Sequence, residues 1–109
     1  MYIVSYANHC GDTGCDVENK LFDNLRDARI FMLGSVTFDV GINDPETIYK
    51  IVPNEDCTDG YQSNIMCDKK IVGQIGMNNA WMYDDSLGWT YSAYWKIQNI
   101  IGNKIENLK

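Results

Sequence analysis

An α+β fold is predicted: an antiparallel sheet of about five or six strands with one principal helix, about residues 24–34, packed on one face. Three features lead to it. The stretch from Asp16 to Gly34 holds a helix start, an apolar face and a stop signal together. Trp89, Tyr91, Ala93, Trp95 and Ile97 alternate with Thr90, Ser92, Tyr94, Lys96 and Gln98, the period of a strand with one buried face. Short β-branched and aromatic runs also recur in pairs separated by tight polar steps, as hairpins require.

Tyr2–Asn8 reads as a strand, and the loop His9–Cys15, HCGDTGC, joins it to a second strand at Val17–Phe22. A single helix from Val17 onward is the competing reading, since Val17, Leu21, Leu25, Ala28 and Met32 are also helically spaced. The hairpin is preferred because Asn24 is a good N-cap with Asp27 three places on, and a longer helix would leave both in its interior. Leu25, Ala28, Phe31 and Met32 then share one helical face, and Gly34 is placed as the C-cap.

Beyond Gly34, Val36–Val40 alternates as a brief strand would, and Gly41–Pro45 is a loop. Thr47–Val52 is a strand closed by Pro53, which cannot donate to a ladder. Asn54–Ser63 is polar, turn-rich and aperiodic, the best candidate for a mobile loop. Asn64–Cys67 and Lys70–Met77 flank Asp68-Lys69 as one hairpin, and Ala80–Tyr83 and Trp89–Gln98 flank Asp84–Gly88 as another. The tail from Asn99 fits either a short helix or a turn at Gly102-Asn103 between short strands.

At 109 residues the chain is read as a single domain, 1–109, with enough length to bury a core without staples. Its net charge of −6 is uneven. Residues 1–68 carry twelve acids and four bases, a net of −8, and residues 69–109 carry three acids and five bases, a net of +2. An acidic front repels phosphate backbones and anionic membranes, so direct nucleic-acid binding and membrane association are not expected, and it attracts basic surfaces. The N-terminal run MYIVSYANHC lacks the basic lead and apolar length of a signal peptide, which points to a cytoplasmic protein with reduced thiols.

Catalytic chemistry finds little to work with. Cys10 and Cys15 are spaced C-x4-C and Cys57 and Cys67 C-x9-C, with His9 as a fifth candidate; zinc knuckles hold ligand pairs two to four residues apart. The cysteines are therefore expected to be independent thiols. His9, the sole histidine, would face away from Cys10 on a strand but could reach Cys15 across the loop, with no third group to orient the ring. Phosphate loops, serine elbows, zincin signatures and calcium-loop spacing are all missing. Neither an enzyme nor a cofactor is expected.

Two features remain. Acids gather in loop-rich places, Asp12 to Asp27, Asp39 to Glu46 and Glu55 to Asp59, with Asp84-Asp85 as a fourth. Six of the thirteen aromatics, Trp81, Tyr83, Trp89, Tyr91, Tyr94 and Trp95, lie within fifteen residues on one hairpin. Packing under the helix accounts for Trp89, Tyr91 and Trp95, and leaves Tyr94, Trp81 and Tyr83 for a contact surface. The expectation is a small acidic interaction module that binds and inhibits a larger basic, nucleic-acid-handling protein. Asp39, Asp44, Glu46, Glu55, Asp56, Asp59, Asp84 and Asp85 would supply the charge, and Trp81, Tyr83 and Tyr94 the aromatic anchors. Small phage-encoded antidefence proteins such as anti-CRISPRs are similar in size and charge, though no motif of theirs occurs here. The alternative is a metal- or small-ligand-binding domain built on the cysteine-bearing loops or the aromatic hairpin.

Overall fold

A computed structural model describes residues 1–10, 15–41, 46–56, 59–86 and 90–108, the side chain of Cys10 aside. Strands β1 (Tyr2–Cys10) and β2 (Cys15–Phe22) form the first hairpin, and α1 (Leu25–Val40) follows. Then come β3 (Tyr49–Pro53), β4 (Ser63–Cys67), β5 (Lys70–Ile75), β6 (Asn79–Asp84), β7 (Tyr91–Ile101) and β8 (Lys104–Asn107). All eight belong to one antiparallel sheet of order β2-β1-β7-β6-β5-β4-β3, with β8 paired to the C-terminal part of β7. The count exceeds the expected five or six, and one of the additional strands is the tail, turned back by Gly102 at φ 61°.

The helix starts as the sequence indicates. Asn24 is its N-cap: Oδ1 accepts from the Asp27 amide at 2.8 Å, and Nδ2 donates back to Asp27 Oδ2 at 3.0 Å. Its end is different, and the expected span of 24–34 is corrected to 25–40, with helix where a strand at Val36–Val40 was expected. Ala28, Met32, Val36 and Val40 form one i, i+4 row, all buried against the sheet. A mid-helix glycine costs about 1 kcal/mol, whereas burying a valine returns about 1.5–3 kcal/mol, so two further valines outweigh Gly34. The helix stops at Gly41, in the left-handed region at φ 75°, whose amide donates to the carbonyls of Thr37 and Phe38 at 3.1 Å.

Register sorts the side chains into two faces. Trp95 lies opposite Tyr6 on β1 and Ala80 on β6, and Ile97 lies opposite Val4; these face α1 with Met82, Ile65, Val72 and Ile75 as the core. Trp95 is fully buried, packs at 5.0 Å against the tilted ring of Tyr6, and donates Nε1 to Ser35 Oγ at 2.9 Å, fixing the helix over β1 and β7. Of the expected helix contacts, Ala28 and Met32 are buried and Leu25 and Phe31 partly so, Phe31 packing at 5.2 Å on Phe22 of β2. Trp89 lies outside the described residues. Among the described residues no helix covers the other sheet face. There Trp81 and Tyr94 are cross-strand neighbours, with exposed Tyr83, Val17 and Leu21 on the same side.

Candidate binding groove

The C-terminal half of α1 and the β1–β2 hairpin enclose a groove of about 500 Å³ lined by Tyr6, Asn8, Asp16, Val17, Glu18, Ser35, Phe38 and Asp39. Register builds its floor: Tyr6 pairs with Glu18 and Asn8 with Asp16, placing two acids beside two polar residues on the helix-covered face. The helix contributes the third acid. Tyr6 donates to Asp39 Oδ1 at 2.8 Å, Tyr91 donates to Asp39 Oδ2, and Asn8 donates to the Tyr6 hydroxyl at 2.8 Å. Asn8 Oδ1 also accepts the Asp16 amide at 3.0 Å, so one asparagine ties β2 to the tyrosine network.

Burial raises the Asp39 carboxyl, and the Tyr6 hydrogen bond offsets only part of that rise. Burial, followed by Asp39 itself, pushes the Tyr6 hydroxyl far up, so it stays a donor at any working pH. Among the described residues no lysine or arginine lines the groove. Phe38 on its lining stands 86% exposed, and elsewhere around the helix Ile30 and Leu33 are also open to solvent. The helix is thus apolar on its outer side as well as its inner one.

The other expected site residues separate into distinct neighbourhoods. Asp84 is buried rather than displayed, accepting from Tyr49 at 2.5 Å and from the Ser86 amide and hydroxyl at 2.9 and 2.6 Å. Asp85 is exposed and pairs with Lys70 at 3.8 Å, a contact worth little in water. Glu46, Glu55 and Asp56 are exposed, and Asp44 lies outside the described residues, as do Asp12 and Cys57.

Asp59 organises its own loop: it accepts from the Tyr61 amide at 3.0 Å, Gln74 at 2.6 Å and Asn54 at 3.1 Å, and the Tyr61 amide and Gln74 lower its pKa most. That loop joins the Pro53 end of β3 to the Ser63 end of β4, whereas Asp84 lies toward the Tyr49 and Cys67 end. Glu55, Asp56 and Asp59 therefore sit at the opposite end of the sheet from Asp39 and Asp84.

No family model, curated relative or solved structure matches this chain. Its own geometry has to carry the functional reading.

Trp81, Tyr83 and Tyr94 do share a face, the one without a helix, as the alternation on β7 implied for Tyr94. A cleft of about 450 Å³ opens there, lined in part by Tyr94, Lys96, Asn78, Asn79 and Asn107. His9 and Cys15 are direct cross-strand partners, both exposed, and Cys67 is a free thiol on β4. Among the described residues no three His, Cys, Asp or Glu side chains gather as a metal site would need, and no helix is long and apolar enough to cross a membrane.

Sequence reasoning found Asp39 but missed its companions. Asp16, Glu18 and Phe38 belong to the groove only because α1 continues past Gly34 and turns Asp39 toward β1. The signal was present in the spacing of Met32, Val36 and Val40, which the glycine masked.

Proposed function

We propose that this chain is a small acidic binding module whose groove receives a basic, partly apolar segment of a larger protein and thereby modulates that protein. The observation that supports this reading best is the coincidence, in one groove, of Asp16, Glu18 and Asp39 with a nearly fully exposed Phe38 and, among the described residues, no basic lining residue. Three carboxylates in a concave surface concentrate negative potential and attract arginine or lysine side chains. Phe38 offers apolar contact to the same segment, and an aromatic beside a cation adds cation–π attraction.

Where the partner handles nucleic acid, its basic surface is the one phosphates would otherwise occupy, and occupying it would inhibit. The likeness in size and charge to phage antidefence proteins fits that form of the proposal. The aromatic face supports a second reading. The cleft beside Tyr94 and Lys96 suits a small planar anion, stacked on the ring and paired with the ammonium.

The test is a titration with an arginine- and leucine-containing basic peptide, followed by amide chemical shifts. Shifts are expected at Glu18, Phe38 and Asp39, and combined neutralisation of the groove by Asp16→Asn, Glu18→Gln and Asp39→Asn should weaken binding about tenfold or more and flatten its salt dependence. The same treatment of Glu55, Asp56 and Asp59 at the far end should change affinity little. Equal losses from both triple variants would show an unfocused charge effect and remove the groove's claim; shifts confined to Trp81, Tyr83 and Tyr94 would favour the aromatic face.

A further inference from the structure

The two edges of the sheet are built differently. At one edge β3 is short, five residues, and ends in Pro53, which removes a ladder donor and blunts pairing. At the other, β2 runs eight residues from Cys15 to Phe22 without a proline or glycine, has β1 as its one strand neighbour in the sheet order, and is exposed from Cys15 through Leu21. Among the described residues no strand pairs with its outer backbone edge, a ready template for another strand.

The sequence of β2, CDVENKLF, is self-complementary when it runs antiparallel to itself about Asn19. In that register Glu18 of one copy faces Lys20 of the other, twice across the two-fold axis, and Val17 faces Leu21. Val17 and Leu21 are 71% and 55% exposed in the single chain and lie on the helix-free face, so each would cover the other. Asn19 meets its own copy on the axis, where two amides can exchange hydrogen bonds.

Shifted registers lose this. Centring on Glu18 sets two carboxylates opposite each other, and centring on Lys20 sets two ammonium groups opposite, both unfavourable in directly facing pairs. Helix α1 lies over β1 and β7 more than over β2. Two copies joined at β2 would hold their β1 strands three spacings apart, about 14 Å, which leaves room for both helices on the same face.

We infer that the occupant of this edge is a second copy of the chain, paired β2 to β2 about Asn19 in a two-fold dimer with one continuous sheet. The inference shares Glu18 with the basic-partner reading but does not depend on it, and its readout needs no partner. A single strand pair makes a small interface, so the dimer should form and dissociate with protein concentration.

Sedimentation equilibrium of the full chain at physiological ionic strength is expected to show the mass rise with concentration from 12.4 kDa toward twice that value. Glu18→Lys alone and Lys20→Glu alone place like charges face to face and should each remain monomeric while keeping the parent's far-ultraviolet circular dichroism. Mixing the two variants should restore a dimer, as should combining both changes in one chain. A parent that stays monomeric throughout, or a dimer indifferent to either charge reversal, would overturn the proposal.

The register has its own check that survives misfolding of a charge variant. Asn19→Cys should give a disulfide-linked dimer on mild oxidation, because directly opposed strand residues lie within disulfide reach. Val17→Cys, about 13 Å from its own copy in this register, should cross-link no better than the parent chain. The reverse pattern would exclude pairing about Asn19.

Discussion

The Tyr49 hydroxyl donates to Asp84 Oδ2 across 2.5 Å, tying the first residue of β3 to the last residue of β6. Asp84 is 1% exposed, and Ser86 satisfies its other oxygen twice. A buried carboxylate stabilises a fold only while its donors stay in place. Burial by itself would raise the Asp84 pKa, but the Ser86 and Tyr49 hydrogen bonds, helped by the charge of Lys70, more than offset it and leave it below the ordinary 3.8.

That sign has a consequence for acid stability. With the folded value below the unfolded one, ionised Asp84 favours the fold above about pH 4, and its contribution is lost as the pH falls through the folded value. Asp84→Asn should cost about 1–3 kcal/mol at pH 7 and leave a shallower loss of stability in acid. Urea unfolding of both proteins between neutral and acidic pH measures this, and parallel acid slopes would count against it.

Asp39 pulls the other way. Burial raises its pKa above the ordinary 3.8, so protonation of Asp39, as the pH falls through that raised value, strengthens the fold where protonation of Asp84 weakens it. Carboxyl carbon shifts followed by NMR should place the Asp39 midpoint above and the Asp84 midpoint below that of a free aspartate. Coincident midpoints would mean that the tyrosine groove is not desolvated.

The glycines make a paired prediction. A Cβ on Gly34 would meet nothing within 4 Å, so Gly34→Ala should stabilise the helix by about 0.5–1 kcal/mol. On Gly73 it would lie 2.4 Å from the Trp81 carbonyl oxygen and 2.9 Å from Ile65 Cδ1, so Gly73→Ala must push two strands apart. A loss of about 1–3 kcal/mol is expected there. Thermal unfolding midpoints moving in the same direction for both changes would contradict the packing.

Trp95 and Phe31 should differ as well. Trp95 is fully buried between Tyr6 and Ser35, and its truncation to alanine should cost about 3–5 kcal/mol. Phe31 is only partly buried, against Phe22 and beneath the Lys20 ammonium at 4.8 Å, so Phe31→Ala should cost less. Equal denaturation midpoints for the two variants would show the core centred elsewhere.

Much of this architecture was legible in the chain because its signals are local. Asn24 with Asp27 specifies a helix start through two hydrogen bonds three residues apart, and the tight step at Asp68-Lys69 closes the β4–β5 hairpin with Asp68 itself at φ 57°. The alternation from Tyr91 to Gln98 assigned Trp95 to the core and Tyr94 to the surface, because a pleated strand turns successive side chains to opposite faces.

What tertiary structure alone decided is where the helix ends and which acids meet. Gly34 is a local stop signal, yet Val36 and Val40 gain more from burial against a sheet assembled from distant strands than the glycine loses. The same extension carries Asp39 onto Tyr6 and Tyr91, residues 33 and 52 positions away, and so brings it into one groove with Asp16 and Glu18, which the sequence keeps more than twenty positions from it. The sheet order then sends Asp84 into the interior and Glu55, Asp56 and Asp59 to the far end. Composition sets how many carboxylates there are; strand order and helix length, fixed by long-range burial, set which of them share a field.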